Sequence, residues 1–336
     1  MKKKAILILI GLLAISLAAN FIVFTARNGS RQINILSQSE ERYVYIAAYI
    51  GSASMGADNQ GMLDFAREYD VSVETVAPKE FDTVEQARLI DEVIATKPAG
   101  ILVAAFDTSL TPYVNKAVDA GIPTITVVTD LPDSKRLAYV GTDWYDLGMR
   151  QADALAELIG EEGTVAMLGM VGASSTDSGF LGFSYGMSKY ENIYVLEGLD
   201  DMGTVQEAER ITKQIVQDYN IKGIAGFDTS SGIGIARAVK ALGLQDKVKV
   251  TCVDMSDEHL RLLGEGTVQK LFGQKRELIT YYGCKLLYDL NHNTMSITKE
   301  DKNNGVTNIP KKVNTGVVEI DAGNMSEFTQ SSGRKP

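Results

Sequence analysis

Polar and acidic side chains follow apolar segments at regular intervals along this chain. The candidates for a binding role are Ser54, Met55, Asp107, Asp130, Trp144, Asp177, Asp228, Asp254 and Gln274. Carboxylates and amides exchange hydrogen bonds with hydroxyl groups, while an aromatic face stacks on an apolar surface. The pattern predicts a site for a small, neutral, hydroxyl-rich ligand. Asp, Ser and Thr after a strand are also common helix N-caps, so a structural role stays open for each.

The segments before these residues alternate between strand and helix patterns. The run 100–105 is apolar almost throughout, as a strand of a parallel sheet requires. Amphipathic helices are predicted at 60–69 and 84–97, and the rhythm restarts with a helix at 146–159. Two such rounds predict an α/β fold of two similar Rossmann-like lobes with parallel sheets. Ligands bind outside the carboxyl ends of such strands, where the polar residues fall.

No constellation for catalysis or metal binding emerges from the sequence. His259 and His292 fall among polar residues and are expected at the surface, and neither has the spacing of a zinc site. No Gly-Lys-Ser/Thr phosphate loop is present, and Gly232-Ile233-Gly234 lacks the third glycine of a dinucleotide fingerprint. We therefore expect no enzyme, no cofactor and no metal, and we assign the glycines at 232–234 to close packing.

The N-terminal segment, residues 1–26, predicts the compartment. Lys2, Lys3 and Lys4 precede an apolar run that extends to residue 26, which is long enough to cross a bilayer as a helix. The run is longer than the core of most secretory signals, which favours an uncleaved anchor over a cleaved signal peptide. No cysteine lies nearby, so lipid attachment is excluded. The lysines favour a cytoplasmic N-terminus and an exported body.

The charge balance excludes several partners. The chain has 33 basic and 43 acidic residues, and without the five basic residues among the first 31 it has 28 basic against 43 acidic, a net charge of −15. An exported body this acidic argues against nucleic acid and anionic lipid as partners.

Several motifs, in their order along the chain, resemble the class I, ribose-type periplasmic sugar-binding proteins. The run 139–148, Tyr-Val-Gly-Thr-Asp-Trp-Tyr-Asp-Leu-Gly, is similar to the family's crossover segment. The segments 120–123, 133–137, 221–224, 235–240, 248–254 and 313–318 resemble the family as well. The resemblance covers residues 43 to about 322.

This resemblance implies a type I periplasmic binding protein fold, in which a three-strand hinge joins the lobes and a ligand is trapped between them. Its expected divisions are an N-terminal lobe (43–141 and 275–302), a C-terminal lobe (142–274 and 303–325), a linker (27–42) and a tail (326–336). Such an arrangement also places Cys252 and Cys284 in different lobes. We therefore expect two buried free thiols instead of a disulfide across a moving hinge.

The resemblance also suggests which residues bind the ligand. Asp228, Asp254 and Gln274 match polar binding positions of the family. The N-terminal half departs from the pattern, with Ser54 and Met55 in place of an aromatic pair. Val128 stands in place of an aspartate and Gly179 in place of an arginine. We expect Asp107, Asp130, Trp144 and Asp177 to compensate, and a changed ligand is plausible.

The leading hypothesis is an extracytoplasmic solute-binding protein that captures a small polar ligand, most simply a carbohydrate. Its membrane partner is then either the permease of an ABC importer or a sensor kinase. An anchored extracellular enzyme is a weaker alternative, because no catalytic group supports it. A transcription repressor with the same body is excluded by the export segment, the acidic surface and the missing helix-turn-helix.

Overall fold

The computed structural model describes residues 31–35, 39–52, 54–292 and 295–329. These residues form two α/β lobes, each built on a seven-stranded sheet. The predicted anchor or signal, residues 1–26, lies outside the described residues. Within the described ranges, no helix combines the length and the apolar character that a membrane crossing requires.

The N-terminal lobe contains one sheet and the helices that cover it. Its strands are β1 (Arg31–Ile35), β2 (Arg42–Ile46), β3 (Ser72–Val76), β4 (Gly100–Val103), β5 (Thr124–Val127), β6 (Tyr139–Gly141) and β13 (Lys312–Asn314). They lie in the order β1-β3-β2-β4-β5-β6-β13, and all neighbours are parallel except the antiparallel pair β1 and β3. Its helices are α1 (Met55–Tyr69), α2 (Thr83–Ala95), α3 (Thr111–Asp119) and α9 (Arg276–His292).

The C-terminal lobe repeats this architecture. Its strands are β7 (Gly163–Gly169), β8 (Ile193–Val195), β9 (Leu199–Asp200), β10 (Ile221–Gly226), β11 (Lys249–Val253), β12 (Lys270–Gly273) and β14 (Val318–Ile320). The order is β14-β12-β11-β10-β7-β8, with β9 beside β7, and only β14 is antiparallel to its neighbour. Its helices are α4 (Trp144–Ile159), α5 (Ser174–Met187), α6 (Val205–Asp218), α7 (Thr229–Ala241) and α8 (Asp257–Gly264). Two short helices complete the described chain, α10 (Lys299–Asn303) and α11 (Ser326–Thr329).

Both faces of each sheet are buried, which explains the nearly continuous apolar strands. In β2, Tyr43 and Tyr45 pack into one core, whereas Val44 and Ile46 pack into another core on the opposite face. The same alternation divides β7 between two cores of the C-terminal lobe. The sheets are therefore buried platforms, and the loops after their strands carry polar side chains that reach the cavity described below.

The chain crosses between the lobes at three places. The crossings follow β6, β12 and β13, at residues 142–143, 274–275 and 315–317. The two-lobe α/β fold with parallel sheets is therefore confirmed. The three crossings lie side by side at the edge of the cavity described below.

Two segments differ from the expected divisions. The expected linker 27–42 contains β1, which pairs with β3 at the edge of the sheet, and it also contains the first residue of β2. Residues 312–314, expected in the C-terminal lobe, form β13 and pair with β6 in the N-terminal sheet. The final return to the C-terminal lobe therefore falls after residue 314. Short edge strands carry little apolar periodicity, so the sequence gives little sign of either.

The two cysteines are free and buried, as predicted. Cys252 lies in β11 of the C-terminal lobe and Cys284 in α9 of the N-terminal lobe. Cys252 also explains a glycine of the 232–234 motif. A Cβ atom on Gly232 would lie 2.7 Å from both Cβ and Sγ of Cys252, so close packing of α7 on β11 requires glycine.

Candidate functional site

A cavity of about 350 Å³ lies between the lobes, at the carboxyl ends of the strands of both sheets. This volume is within the range of small-molecule sites. Five of the nine predicted residues line it, namely Ser54, Trp144, Asp228, Asp254 and Gln274. The cavity therefore brings together residues separated by up to 220 positions in the sequence, as the topology of two open sheets predicts.

Asp228 occupies the turn between β10 and α7. Its Oδ1 accepts a hydrogen bond from the Ser231 N–H at 2.8 Å, and its Oδ2 accepts one from the Met170 N–H at 3.0 Å. The first bond is an N-cap, which is the structural role left open by the sequence. Because Asp228 also lines the cavity, a cap and a ligand contact are compatible in this one side chain.

Asp254 follows β11 in an uncommon backbone conformation, with φ of 91°. Its Oδ2 accepts a hydrogen bond from the Thr229 hydroxyl at 2.7 Å, and its Oδ1 accepts one from the Met255 N–H at 2.7 Å. Burial opposes the charge of Asp254, but His259 and these hydrogen bonds favour it, so its pKa is lowered. The C-terminal lobe therefore presents a charged, oriented carboxylate to the cavity.

His259, expected at the surface, is instead fully buried behind Asp254, and that prediction was wrong. It lies on α8, whose inner face also carries Leu260, Leu262 and Leu263. The Nδ1 atom lies 2.7 Å from the Ser256 hydroxyl. Burial lowers the pKa of His259 although Asp254 opposes this. Burial therefore favours the neutral form of the ring, while the hydrogen bonds from Thr229 and Met255 support the charge on Asp254 independently of it.

Aromatic rings line the half of the cavity formed by the N-terminal lobe. Tyr49, Phe81 and Phe106 contribute there. The ring centroids of Tyr49 and Phe81 lie 6.5 Å apart, and those of Phe81 and Phe106 lie 6.4 Å apart, both edge to face. The sequence analysis did not select these residues, although Phe106 directly precedes the candidate Asp107. They supply the apolar surface that Ser54 and Met55 do not provide.

Arg276 is the cation among the described residues that line the cavity, and the sequence analysis missed it. Its Nε and Nη2 atoms each donate to a carboxylate oxygen of Asp58 at 2.7 Å. Tyr45 donates its hydroxyl to the same carboxylate at 3.0 Å. Burial opposes the charge on Arg276, but Asp58 outweighs it and raises the pKa. The one clue in the sequence to a binding role for Arg276 was its position two residues after the candidate Gln274.

Gln274 and Thr142 connect the crossing segments. The Thr142 hydroxyl lies 3.4 Å from Gln274 Oε1 and 3.1 Å from the carbonyl oxygen of Gly316. These three residues belong to three different crossings, and Gln274 also lines the cavity. A ligand contact at Gln274 is therefore coupled directly to the hinge.

Trp144 begins α4 and lies beside Val128 of the opposite lobe. Its Nε1 donates to the Val128 carbonyl oxygen at 3.0 Å, and the Tyr139 hydroxyl donates to the same oxygen at 2.9 Å. Val128 has a φ of 70°, which is an outlier for a β-branched residue and costs free energy unless its surroundings enforce it. Val128 is also buried in the N-terminal core, so packing and these two hydrogen bonds together hold the conformation. Trp144 therefore serves both the core and the cavity.

Two further contacts join the lobes beside the cavity. The Ser54 hydroxyl of the N-terminal lobe lies 3.5 Å from Asp254 Oδ2 of the C-terminal lobe. The Ser174 hydroxyl donates to the Asp130 carbonyl oxygen at 2.6 Å and accepts from the Asp130 N–H at 3.0 Å. The lobes are thus in contact on both sides of the cavity.

Four predicted residues do not line the cavity, and each has another partner. Met55 is buried in the core of the N-terminal lobe. Asp107 caps a short 3₁₀ turn through the Ser109 N–H at 2.7 Å, and Asp177 accepts from the Gly172 N–H at 3.0 Å. Asp130 forms an ion pair with Arg136. Capping and ion pairing explain these three aspartates without a ligand.

Gly179, which stands in place of the family's arginine, packs against an aromatic ring. A Cβ atom at this position would lie 2.6 Å from Cδ1 of Phe227. Phe227 also lines the cavity. The aromatic ring therefore occupies the space that a side chain at position 179 would need. The packing of α5 against Phe227 leaves no room for an arginine there.

Possible reactive groups are few. The pentapeptide 182–186 fits Gly-x-Ser-x-Gly, but it lies within α5 and not at the sharp strand-to-helix turn that a hydrolase nucleophile requires. Among the described residues, no group of three or more His, Cys, Asp or Glu side chains is arranged to hold a metal ion.

Two lobes, three crossings and a polar cavity between strand ends define a solute-binding protein. The chain belongs to the periplasmic binding protein domain family, whose model matches residues 43–293. Membership of this family implies an extracytoplasmic location, and its members are binding proteins and not enzymes. The prediction of a sugar-binding-type periplasmic protein without enzymatic activity is thereby confirmed.

Similar proteins are found by both sequence and structure. The D-allose-binding periplasmic protein of Escherichia coli K12 is 26% identical over 242 residues, which is 68% of this chain and 78% of that protein. The sugar-binding protein of a sugar ABC transporter from Bacillus halodurans is 28% identical, with a TM-score of 0.79, covering 86% of this chain and 100% of that one. A structure of the XylFII-LytSN complex contains a chain that is 26% identical, with a TM-score of 0.72, covering 85% of this chain and 99% of that one.

Proposed function

We propose that this protein captures a small sugar between its two lobes outside the cytoplasm and delivers it to an ABC importer. The observation that carries the proposal is the pairing of two carboxylates, Asp228 and Asp254, with an aromatic surface across the same cavity. Carboxylates accept hydrogen bonds from ring hydroxyls, and aromatic faces cover the C–H face of a sugar.

The charge of the cavity narrows the ligand class. Asp228 and Asp254 line it, and the one lining cation among the described residues, Arg276, already gives two donors to Asp58. The site is therefore net negative and repels uronic acids and sugar phosphates. A neutral polyol satisfies the carboxylates without adding charge. The D-allose and sugar-transporter relatives support the same ligand class.

Hinge closure is the proposed mode of capture. Contacts such as Ser174 with Asp130 join the two lobes outside the three crossings. Such contacts form when the lobes close and break when they part. The aromatic half and the carboxylate half then meet on opposite faces of one ligand. Each half alone is an open, hydrated surface with weak affinity.

A second role is ligand sensing, in which the loaded protein docks on a membrane partner. The similarity to a chain of the XylFII-LytSN complex supports this alternative, because that fold forms a complex with a second protein. The N-terminal segment 1–26, as an uncleaved anchor, would keep the protein beside either partner. Transport and sensing both require the same sugar-binding step.

Calorimetry against a panel of sugars tests the binding step. The panel is D-allose, D-ribose, D-tagatose, L-arabinose, D-galactose and D-glucuronate. We expect one or more neutral sugars to bind and D-glucuronate not to bind. Failure of every neutral sugar to bind well-folded protein would contradict the proposal, and tight binding of D-glucuronate would contradict the assigned charge of the cavity.

The partner is tested separately with the full-length protein in membranes. Crosslinking in the presence of the bound sugar, followed by mass spectrometry, should recover a permease subunit if the role is transport. Recovery of a histidine kinase instead would establish sensing. A Ser174→Ala variant, which weakens the contact between the lobes, is expected to lower the yield of either crosslink.

A further inference from the structure

A second carboxyl group, that of Asp201, lies behind Asp228 and does not reach the cavity. Asp201 follows β9 and its exposed fraction is 0%. Its Oδ1 accepts from the Gly203 N–H at 3.0 Å, and its Oδ2 lies 2.6 Å from the Ser231 hydroxyl. Ser231 gives its backbone N–H to Asp228 at 2.8 Å. One serine therefore connects the buried carboxyl group to the carboxylate that lines the cavity.

No lysine or arginine in the described ranges is paired with either of these carboxyl groups. Of the titratable groups near the pair, Tyr49 from the loop after β2 and His259 from α8 interact with Asp228, while Asp254 and Arg276 line the same cavity. Arg276 is engaged by Asp58, and burial favours the neutral form of His259. Asp201 is buried and Asp228 is half-buried, so ionising Asp201 beside the charge on Asp228 carries a large cost.

We propose that Asp201 is a positioning residue whose carboxyl proton is held against Asp228, and that loss of this proton weakens sugar capture. The inference rests on the proposed sugar-binding function. In the protonated form, the Asp201 O–H donates toward the Asp228 carboxylate and holds it in the orientation that faces the cavity. When the proton leaves to solvent, two negative charges face each other and Asp228 is pushed away from that orientation.

The direction of the titration agrees with this arrangement. Burial, followed by the charge on Asp228, raises the pKa of Asp201 to about 7. A sugar that fills the cavity removes water from Asp228 and makes the doubly ionised state less favourable still. Sugar binding therefore takes up a proton above pH 7. For one linked proton, the Kd rises at most about tenfold for each pH unit.

The first test needs no ligand and compares wild type with Asp201→Asn by urea unfolding from pH 4 to pH 9. Asparagine keeps an oxygen for the Gly203 N–H and replaces the carboxyl proton with an amide that cannot ionise. Wild-type Asp201 ionises near pH 4 when unfolded but near pH 7 when folded, so it removes stability as the pH rises through that window. The stability of the variant relative to wild type should therefore grow between pH 4 and pH 7 and stay constant above.

The second test measures the Kd of the tightest-binding neutral sugar of the panel from pH 6 to pH 9. Wild type should lose affinity above pH 7, and Asp201→Asn should bind with a Kd that does not change with pH. Asp200→Asn is the matched control, because the adjacent Asp200 is exposed and its two N–H partners also suit asparagine. It should keep the wild-type pH profile.

The outcomes separate this inference from the proposed function. A stability difference that does not vary with pH overturns the proton held at Asp201, whether or not any sugar binds. If the unfolding series shows the proton but the Kd of wild type and of Asp201→Asn depends on pH in the same way, the positioning role is overturned. Failure of every sugar to bind contradicts the proposed function and with it the effect on capture, while the unfolding series still decides whether Asp201 holds the proton.

Discussion

The two halves of the cavity solve the problem of binding a small polar ligand in different ways. The C-terminal half presents carboxylates that are fixed by backbone N–H groups and hydroxyls, such as Asp254 with Thr229 and Met255. The N-terminal half presents aromatic rings, and its lining cation, Arg276, is paired with the buried carboxylate of Asp58. The carboxylates of the C-terminal half are available to orient a ligand, while the ion pair of the N-terminal half holds its own wall in place.

The difference follows from what terminates the strands in each lobe. The loops after strands β10 and β11 carry Asp228 and Asp254, and Asp228 also caps α7. The loops after strands β5 and β4 carry Val128 and Phe106, so the N-terminal loops deliver apolar groups to the cavity. Similar folds in the two lobes therefore carry unlike chemistry, because only the loops differ.

The largest effect is expected from Asp58→Ala, which tests whether the N-terminal half depends on its hidden ion pair. The change leaves the Arg276 guanidinium buried without its partner, and breaking a buried pair costs about 3–5 kcal/mol of unfolding free energy. Urea unfolding measures it. Asp64→Ala on the same helix, where the ion pair with Arg67 is exposed, should change stability by less than about 1 kcal/mol. Equal effects of the two variants would contradict the role of the pair.

Asp254→Asn tests the carboxylate half. Asparagine tolerates the left-handed backbone at this position and keeps the shape of the side chain, so the change removes mainly the charge. A hydrogen bond to a charged group contributes about 1.5–3 kcal/mol, and its loss should raise the Kd of the sugar about 10- to 150-fold.

Calorimetry measures the effect, with Asp107→Asn as the matched control. Asp107 caps a turn outside the cavity, and asparagine is as good a cap. The control should bind the sugar as wild type does. An unchanged Kd in Asp254→Asn would place the ligand away from this carboxylate.

Phe81→Ala tests the aromatic half and should have a smaller effect. Phe81 is 41% exposed, so its loss removes a ligand surface with little damage to the core. Stacking contributes about 0.5–1.5 kcal/mol, which corresponds to a Kd raised about 2- to 10-fold. Tyr194→Ala, an exposed aromatic outside the cavity, is the control. A loss as large as that of Asp254→Asn would mean that the two halves contribute equally.

The smallest expected effect is a spectroscopic one at the boundary between the halves. Trp144, the single tryptophan, donates its indole N–H to Val128 of the other lobe. Closure around a sugar should change the surroundings of the ring and shift its fluorescence emission. Trp144→Phe should abolish the signal. An unchanged wild-type spectrum at saturating sugar would mean that this junction does not move.

The two-lobe fold could be predicted because long apolar strands and amphipathic helices alternate twice. The position of Asp228 and Asp254 at the cavity followed from strand ends alone. The pair of Asp58 and Arg276 could not be foreseen, because its members are 218 residues apart and only the packing of α1 on α9 brings them together. Asp201 was missed because adjacent aspartates look alike in the sequence. Only the fold shows that Asp200 is exposed and Asp201 is buried.

Composition around a residue proved a poor guide to its burial. His259 has polar neighbours in sequence, yet one face of its short helix is fully covered. Asp107, Asp130 and Asp177 share the residue type and loop setting of Asp228, and local caps or ion pairs engage them outside the cavity. Distinguishing these roles requires knowing which loops face the other lobe, which sequence periodicity does not contain.

The meeting of the three crossings at Thr142 affects the rate at which the sugar is released as well as its affinity. Its hydroxyl lies within hydrogen-bonding distance of both Gln274 and Gly316, so a turn at Thr142 changes its contacts with the other two crossings. For the closure that we propose, release of the sugar and separation of the lobes are then a single event. The dwell time of the bound sugar then depends on the hinge as well as on the cavity walls, because the Thr142 hydroxyl contacts Gln274, which lines the cavity.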